Sequence, residues 1–320
     1  MASPLFSEDS EDKWKQAAEA AYDIIKQKTD LGLDLVPYPQ IFNDVNNQKA
    51  EVILYRPTGE SGDFEKANFP IGVEGGKTST CPTQNLMEAY DMKDGTPFVW
   101  NNQSNPYDNR DPRMKYTIVC NEMKWPVAPV EIWEGGTNGL PLQNATTTGY
   151  YLKKYVNNTI SFEAGSTVTK KQHNWVLFRY GEILLNYAEA MINAFHDPNY
   201  KDAVYNMSAR EAVNQIRGRT NISLPGFPSD ITEKDFVKRL KNERRVELAF
   251  EGHRFWDVRR WKELGQTANI YGVKITKNNE VISYEKFLLE TRAVTDNMYF
   301  YPIPNTERFK NPNLGQNPGW

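Results

Sequence analysis

The chain has 320 residues, enough for one large domain or two, with 39% hydrophobic residues and a near-balanced net charge of −3. That composition excludes a disordered polymer, and the charge balance argues against a nucleic-acid partner, whose phosphates call for a basic surface. No apolar run reaches the roughly 18–20 residues of a membrane span, and the start shows neither a basic-then-apolar signal nor a lipid-accepting cysteine.

Cys81 and Cys120 fit neither a zinc pattern nor a disulfide-dense scaffold, and whether they pair stays open. His173, His196 and His253 are far apart in sequence, so no histidine-rich metal site is expected. The aromatic share is high, with 8 Trp, 17 Tyr and 15 Phe. Such rings build cores, and their flat faces also match the C–H face of a pyranose. Composition alone does not choose between the two uses.

In chain order, Ser10 is placed to cap a helix over residues 11–28, with Trp14, Ala17, Ala18, Ala21, Ile24 and Ile25 on one face. A face of that kind needs a partner helix. Residues 31–42 read as loop, broken by Pro37 and Pro39, and residues 51–56 as a short strand. Residues 59–76 read as turn-rich and mobile. Residues 81–94 read as a helix, followed by a turn. The segment NNQSNPYDNRDPR (residues 101–113) reads as a rigid polar loop, with Asp111 and Arg113 as structural groups rather than ligand-binding ones. Residues 114–155 alternate in short pieces separated by Gly and Pro, which predicts short strands and extended loops over a helical base. Trp125 and Trp133 lie in this irregular region.

Residues 174–194 carry apolar side chains around most of a helical circumference and predict a helix buried on two sides. Residues 208–220 predict its antiparallel partner. A third helix is expected over residues 232–250, with Thr232 as N-cap and Asp235 at N3. It leads into NERRVELAFEGHRFWDVRRW (residues 242–261), which should break near Gly252 and resume as a short turn. The charges there have two readings: a clamp of Arg/Glu pairs beside aromatic packing, or a carboxylate site at Glu247, Glu251 and Asp257. Arginines keep carboxylates ionised, against the need of a general acid, which favours the clamp. A hairpin is placed around residues 277–279, a short strand at 297–301, and a tail packed along the helices as a brace ending in Trp320.

The stretch at 242–261 and the closing FYPIPNTERFKNPNLGQNPGW (residues 300–320) resemble the two hallmark segments of the SusD/RagB family, glycan-binding surface lipoproteins that work with TonB-dependent transporters. NPYDNRDPR within residues 101–113 resembles a further motif of that family. The resemblance implies a mainly α, SusD-like fold: a tetratricopeptide-like helical repeat base carrying long irregular loops and short strands. It implies one domain over 1–320, divided into a repeat helix (1–28), an irregular glycan-facing region (29–173), a helical base with the clamp (174–264), and a loop with packed tail (265–320). It further implies that the sequence begins inside the family's architecture, after the helices that carry signal and lipid anchor, and that the first helix has its pair upstream.

The implied function is non-catalytic capture of glycans at the outer membrane's extracellular face for a TonB-dependent, SusC-like transporter, with no cofactor and no metal. Trp100, Trp125 and Trp133 are expected as stacking platforms and Asn101 as a hydroxyl partner. These four rest on residue type and loop context, since the family's binding residues vary. A helical scaffold without glycan affinity is the alternative reading. A glycoside hydrolase is the remaining one, and it would need a placed carboxylate pair.

Overall fold

The computed structural model describes residues 3–5, 10–42, 50–101 and 105–320. In chain order the elements are α1 (Glu11–Lys26), β1 (Val52–Ser61), α2 (Asp63–Asn68), α3 (Gln84–Met87), α4 (Pro112–Thr117), β2 (Ile118–Val119), β3 (Tyr151–Leu152), β4 (Lys171–Arg179), α5 (Tyr180–Phe195), α6 (Ala209–Arg217), α7 (Glu233–Glu247), α8 (Arg254–Arg260), β5 (Asn269–Asn278), β6 (Val281–Thr291) and α9 (Asn305–Lys310). The strands form three separate antiparallel pairs, β1 with β4, β2 with β3 and β5 with β6.

One core is helical. Trp14, Ala18, Tyr22 and Ile25 of α1 bury against Leu184, Tyr187, Ala188 and Met191 of α5. The alanines let the two helices approach closely. Ala212, Val213 and Ile216 of α6 and Phe236 and Leu240 of α7 close the same core. Among the described residues the partner that α1 needs is therefore α5. Helix starts follow capping chemistry: Ser208 and Glu211 form a complete capping box on α6, and Thr232 accepts from the Asp235 N–H on α7. Ser10 precedes α1 as expected but makes no side-chain cap bond.

The sequence reading misplaces one long element. Residues 171–179 are strand, and the helix begins at Tyr180, not at residue 174. Trp175, Val176 and Phe178 sit opposite Arg56, Tyr55 and Leu54 of β1. An apolar run of this length fits either period, and pairing across the sheet decides it.

Smaller corrections follow the same logic. Residues 59–76 hold the end of β1 and all of α2, with Phe69 buried, so they are structured rather than a mobile turn region. The helix expected at 81–94 shrinks to α3, whose cap Thr83 accepts from the Leu86 N–H. Residues Asp296–Tyr299 form a 3-10 turn in place of a strand. The tail folds mainly on itself: the Trp320 indole donates to the carbonyls of Asn297 and Phe300 at 3.0 and 3.1 Å. Tyr301 stacks on a helix through Phe255 of α8, while Phe309 stands 86% exposed. The tail is no internal brace.

A second core carries the irregular region. Tyr90, Met114, Ile118, Tyr150 and Tyr151 are fully buried in it, and Val273 and Ile275 of β5 close it from one side. The β5–β6 hairpin falls where the sequence placed it, turning at Asn279–Glu280, both at positive φ. Gly149 (φ +82) lets β5 come close, since a Cβ there would stand 2.4 Å from the Val273 carbonyl. Gly252 (φ +84) makes the break between α7 and α8 that residues 242–261 predict.

Candidate functional site

Where the two cores meet, the charged stretch at 242–261 forms a buried network. Arg113 reaches Asp111 at 2.7 Å, Glu243 at 2.5 Å and Glu247 at 2.8 Å. Arg179, at the β4–α5 junction, binds Glu51 at 2.7 Å, Glu247 at 2.8 Å and Glu251 at 2.7 Å. Arg219 binds Glu51 and Glu247, Arg217 binds Glu243, and Lys154 binds Glu251 at 2.8 Å. The side chains of these ten groups are all buried and alternate in sign.

Burial alone would raise the pKa values of Glu243, Glu247 and Glu251, yet the surrounding guanidiniums outweigh it and hold all three below the ordinary carboxylate range. Burial pulls Lys154 down to about 8 despite its contact with Glu251. Carboxylates kept ionised by guanidinium partners lack a proton to give. Asp257 is likewise held by Arg244 at 2.9 Å and Arg260 at 2.8 Å. The stretch is thus the clamp, and Asp111 and Arg113 are structural members of it.

Above the clamp lies a groove within the irregular region. One end is a cavity of about 540 Å³ walled by Phe42, Tyr116, Trp125 and Tyr155, with Lys124 and Lys153 at its rim and Asn157–Thr159 along one side. The other end, about 320 Å³, runs past Pro126–Val130 and Ile160–Phe162 and carries Glu74 and Glu163. Trp125, Asn158 and Thr159 belong to both ends, so the two are continuous. Below the first end, His173 stacks on Trp175 with ring centres 5.5 Å apart and holds Glu65 at 3.1 Å.

The four residues singled out from the sequence do not converge. Trp125 lines the groove but is only 5% exposed, and the Lys153 ammonium covers its ring at 5.1 Å. It forms wall, not an open platform. Trp133 is half-buried beside the β5–β6 hairpin, with the Lys277 ammonium 4.8 Å from its ring. Trp100 is half-buried, edge-on to Phe98, and Asn101 is exposed next to residues 102–104, which lie outside the described residues. Neither Trp100, Asn101 nor Trp133 is among the described walls of the groove.

The sequence reading missed Tyr116, Tyr155, Lys153 and Asn157–Thr159. One signal existed: GYYLKKY puts consecutive lysines after an apolar run, so the end of β3 sends one inward and the other to the groove.

The sequence model of the SusD family matches residues 40–320. The chain belongs to the SusD family. It is 29% identical over 163 residues to the SusD-like protein P2 of Formosa agariphila, a match spanning 49% of this chain and 28% of that one. A SusD-like protein of Bacteroides fragilis has the same fold, with a TM-score of 0.75 at 26% identity over 95% of this chain and 63% of that one. A SusD-like carbohydrate binding protein of the same species superposes with a TM-score of 0.77 at 24% identity, over 95% and 61%, a likeness of fold. In each case this SusD-family chain spans less than two thirds of the relative's length. The mainly helical, SusD-like architecture expected from residues 242–261 and 300–320 is borne out.

Proposed function

We propose that this chain is the glycan-holding part of a non-catalytic surface protein that captures polysaccharide and presents it to a TonB-dependent, SusC-like transporter at the outer membrane. The observation that carries the reading is the aromatic-walled groove, mounted on irregular backbone above a clamped helical base, in a SusD-family chain. Supporting it, the carboxylates that the sequence offered for a catalytic site, Glu247, Glu251 and Asp257, are all held in ion pairs. We read α1, α5, α6 and α7 as the tetratricopeptide-like base, residues 29–173 as the glycan-facing region, and 265–320 as the flanking loop and tail.

Within the groove the stacking surface moves from Trp125 to Tyr116, which is half-buried and keeps ring area on the cavity. Aromatic contacts of this kind contribute about 0.5–1.5 kcal/mol each. Isothermal titration of the chain against plant and host polysaccharides tests the reading. Tyr116→Ala should weaken binding roughly threefold to tenfold, and Trp133→Ala tells whether a second platform lies outside the groove. Absence of binding to every polysaccharide would leave the scaffold reading standing instead.

A further inference from the structure

The groove is asymmetric in charge. At the Tyr116 end, no carboxylate lines the cavity among the described residues, whereas Lys124 and Lys153 do. The remaining cations there are already occupied: Lys154 by Glu251, His173 by Glu65, and Lys171 by a partner of its own. Lys153 is half-buried, with its ammonium 3.7 Å from the Met123 sulfur and against the Trp125 ring, and it has no carboxylate partner among the described residues. Burial, and beyond it the nearby Lys115, lower its affinity for a proton. Among the described residues, the half-buried Lys153 thus lacks a carboxylate partner, the exposed Lys124 shares its cavity, and the exposed Lys115 is near enough to act on it. Folded proteins rarely leave half-buried cations uncompensated unless something else supplies the counter-charge. At the opposite end, Glu74 and Glu163 would repel an anion.

We infer that the Lys124/Lys153 end of the groove is a subsite for an acidic saccharide unit, a uronate carboxylate or a sulfate ester, with neutral sugar rings running past Trp125 toward Pro126–Val130. This rests on the glycan-binding reading above and narrows it to anionic polysaccharides. The ammonium groups take the acidic substituent, and Asn157–Thr159, shared in part by both ends, offer amide and hydroxyl partners for ring hydroxyls. The Glu74/Glu163 end fixes direction, because a chain entering reversed would set its acidic group against them.

The test is affinity of the chain for polygalacturonate, a sulfated galactan, amylopectin and galactomannan, with Lys124→Gln and Lys153→Gln variants. The acidic polymers should bind at least about tenfold more tightly than the neutral ones. Each substitution should weaken acidic-polymer binding by roughly threefold to tenfold, and raised salt should weaken it further. Lys124 is exposed, so Lys124→Gln keeps the test sound if Lys153→Gln folds poorly, and melting temperatures identify that case. A preference for uronate over sulfate, or the reverse, names the acidic group. Equal binding of neutral and acidic polymers, or acidic binding unchanged in both variants, overturns this inference and leaves glycan capture intact. Failure of all four polymers to bind overturns both.

Discussion

The buried clamp and the groove above it both carry cationic side chains, and they treat charge in opposite ways. In the clamp, Arg113, Arg179, Arg217, Arg219 and Lys154 each face at least one carboxylate within about ion-pair distance, and Glu247 alone accepts from three guanidiniums. In the groove, Lys124 and Lys153 line a cavity whose other described walls include aromatic, amide and hydroxyl side chains and no carboxylate, and Lys153 lies against Met123 and the Trp125 ring. Compensation, not charge density, separates the clamp from the proposed binding groove. A sequence rich in Arg and Glu at 242–261 draws the eye to chemistry, while Lys124 and Lys153 lie in the irregular region of short alternating pieces.

The largest expected break in this contrast is acid. Glu243, Glu247 and Glu251 titrate lower in the folded chain than their ordinary 4.5. The stability they contribute is therefore fully present above that value and is lost as pH falls through it toward their folded values. Denaturant melts followed from pH about 7 down to about 3 should show stability flat near neutrality and collapsing below about 4.5. The only carboxylates among the described walls of the groove are Glu74 and Glu163, at its far end. A smooth decline beginning near neutrality would assign the acid response to other groups.

Single changes in the clamp come next. Glu247→Ala strands Arg113, Arg179 and Arg219 with one carboxylate fewer and should destabilise by about 3–5 kcal/mol, the usual cost of breaking a buried pair. Unfolding in urea measures it directly. A loss below about 1 kcal/mol would mean that water or repacking relieves the stranded charges.

How much of this was legible depended on whether a residue's role is local. The Thr232 cap, the turn that follows residue 278 and the Gly252 break are written in a few neighbouring residues and appear where expected, whereas Ser10 precedes its helix without capping it. The family hallmarks at 242–261 and 300–320 carried the fold. Roles set by distant partners were not legible. Residues 174–178 became strand because β1 lies beside them. Trp125 lost its open face to Lys153, which approaches from β3's end. Tyr116 gained its place because Phe42 and Tyr155, distant in sequence, complete the wall around it. Loop tryptophans signal either packing or recognition, and only the neighbours choose between them.

The finest test uses two adjacent residues. Lys153 and Lys154 share a backbone segment and both line the groove, yet the Lys154 ammonium is bound by Glu251 of the clamp and the Lys153 ammonium lies against Met123 and Trp125. Lys154→Met removes the ammonium that lies 2.8 Å from Glu251 and 2.9 Å from the Tyr38 hydroxyl. Arg179 still holds Glu251, so the cost should be about 2 kcal/mol, less than for Glu247→Ala. Lys153→Met removes a half-buried cation with no carboxylate to lose, and the thioether suits a site already formed by Met123 and Trp125. Its stability should therefore stay within about 0.5 kcal/mol of the parent, or rise. The sign is checked by pH. Burial lowers Lys153 below its ordinary 10.5, so its charged form opposes folding at neutral pH, and that opposition fades as pH rises toward 10.5. Any advantage of Lys153→Met should accordingly be greatest near neutrality and shrink in alkali. If Lys153→Met instead destabilises as much as Lys154→Met, Lys153 belongs to the clamp, and the division between a compensated base and an uncompensated groove fails at the residue that defines it.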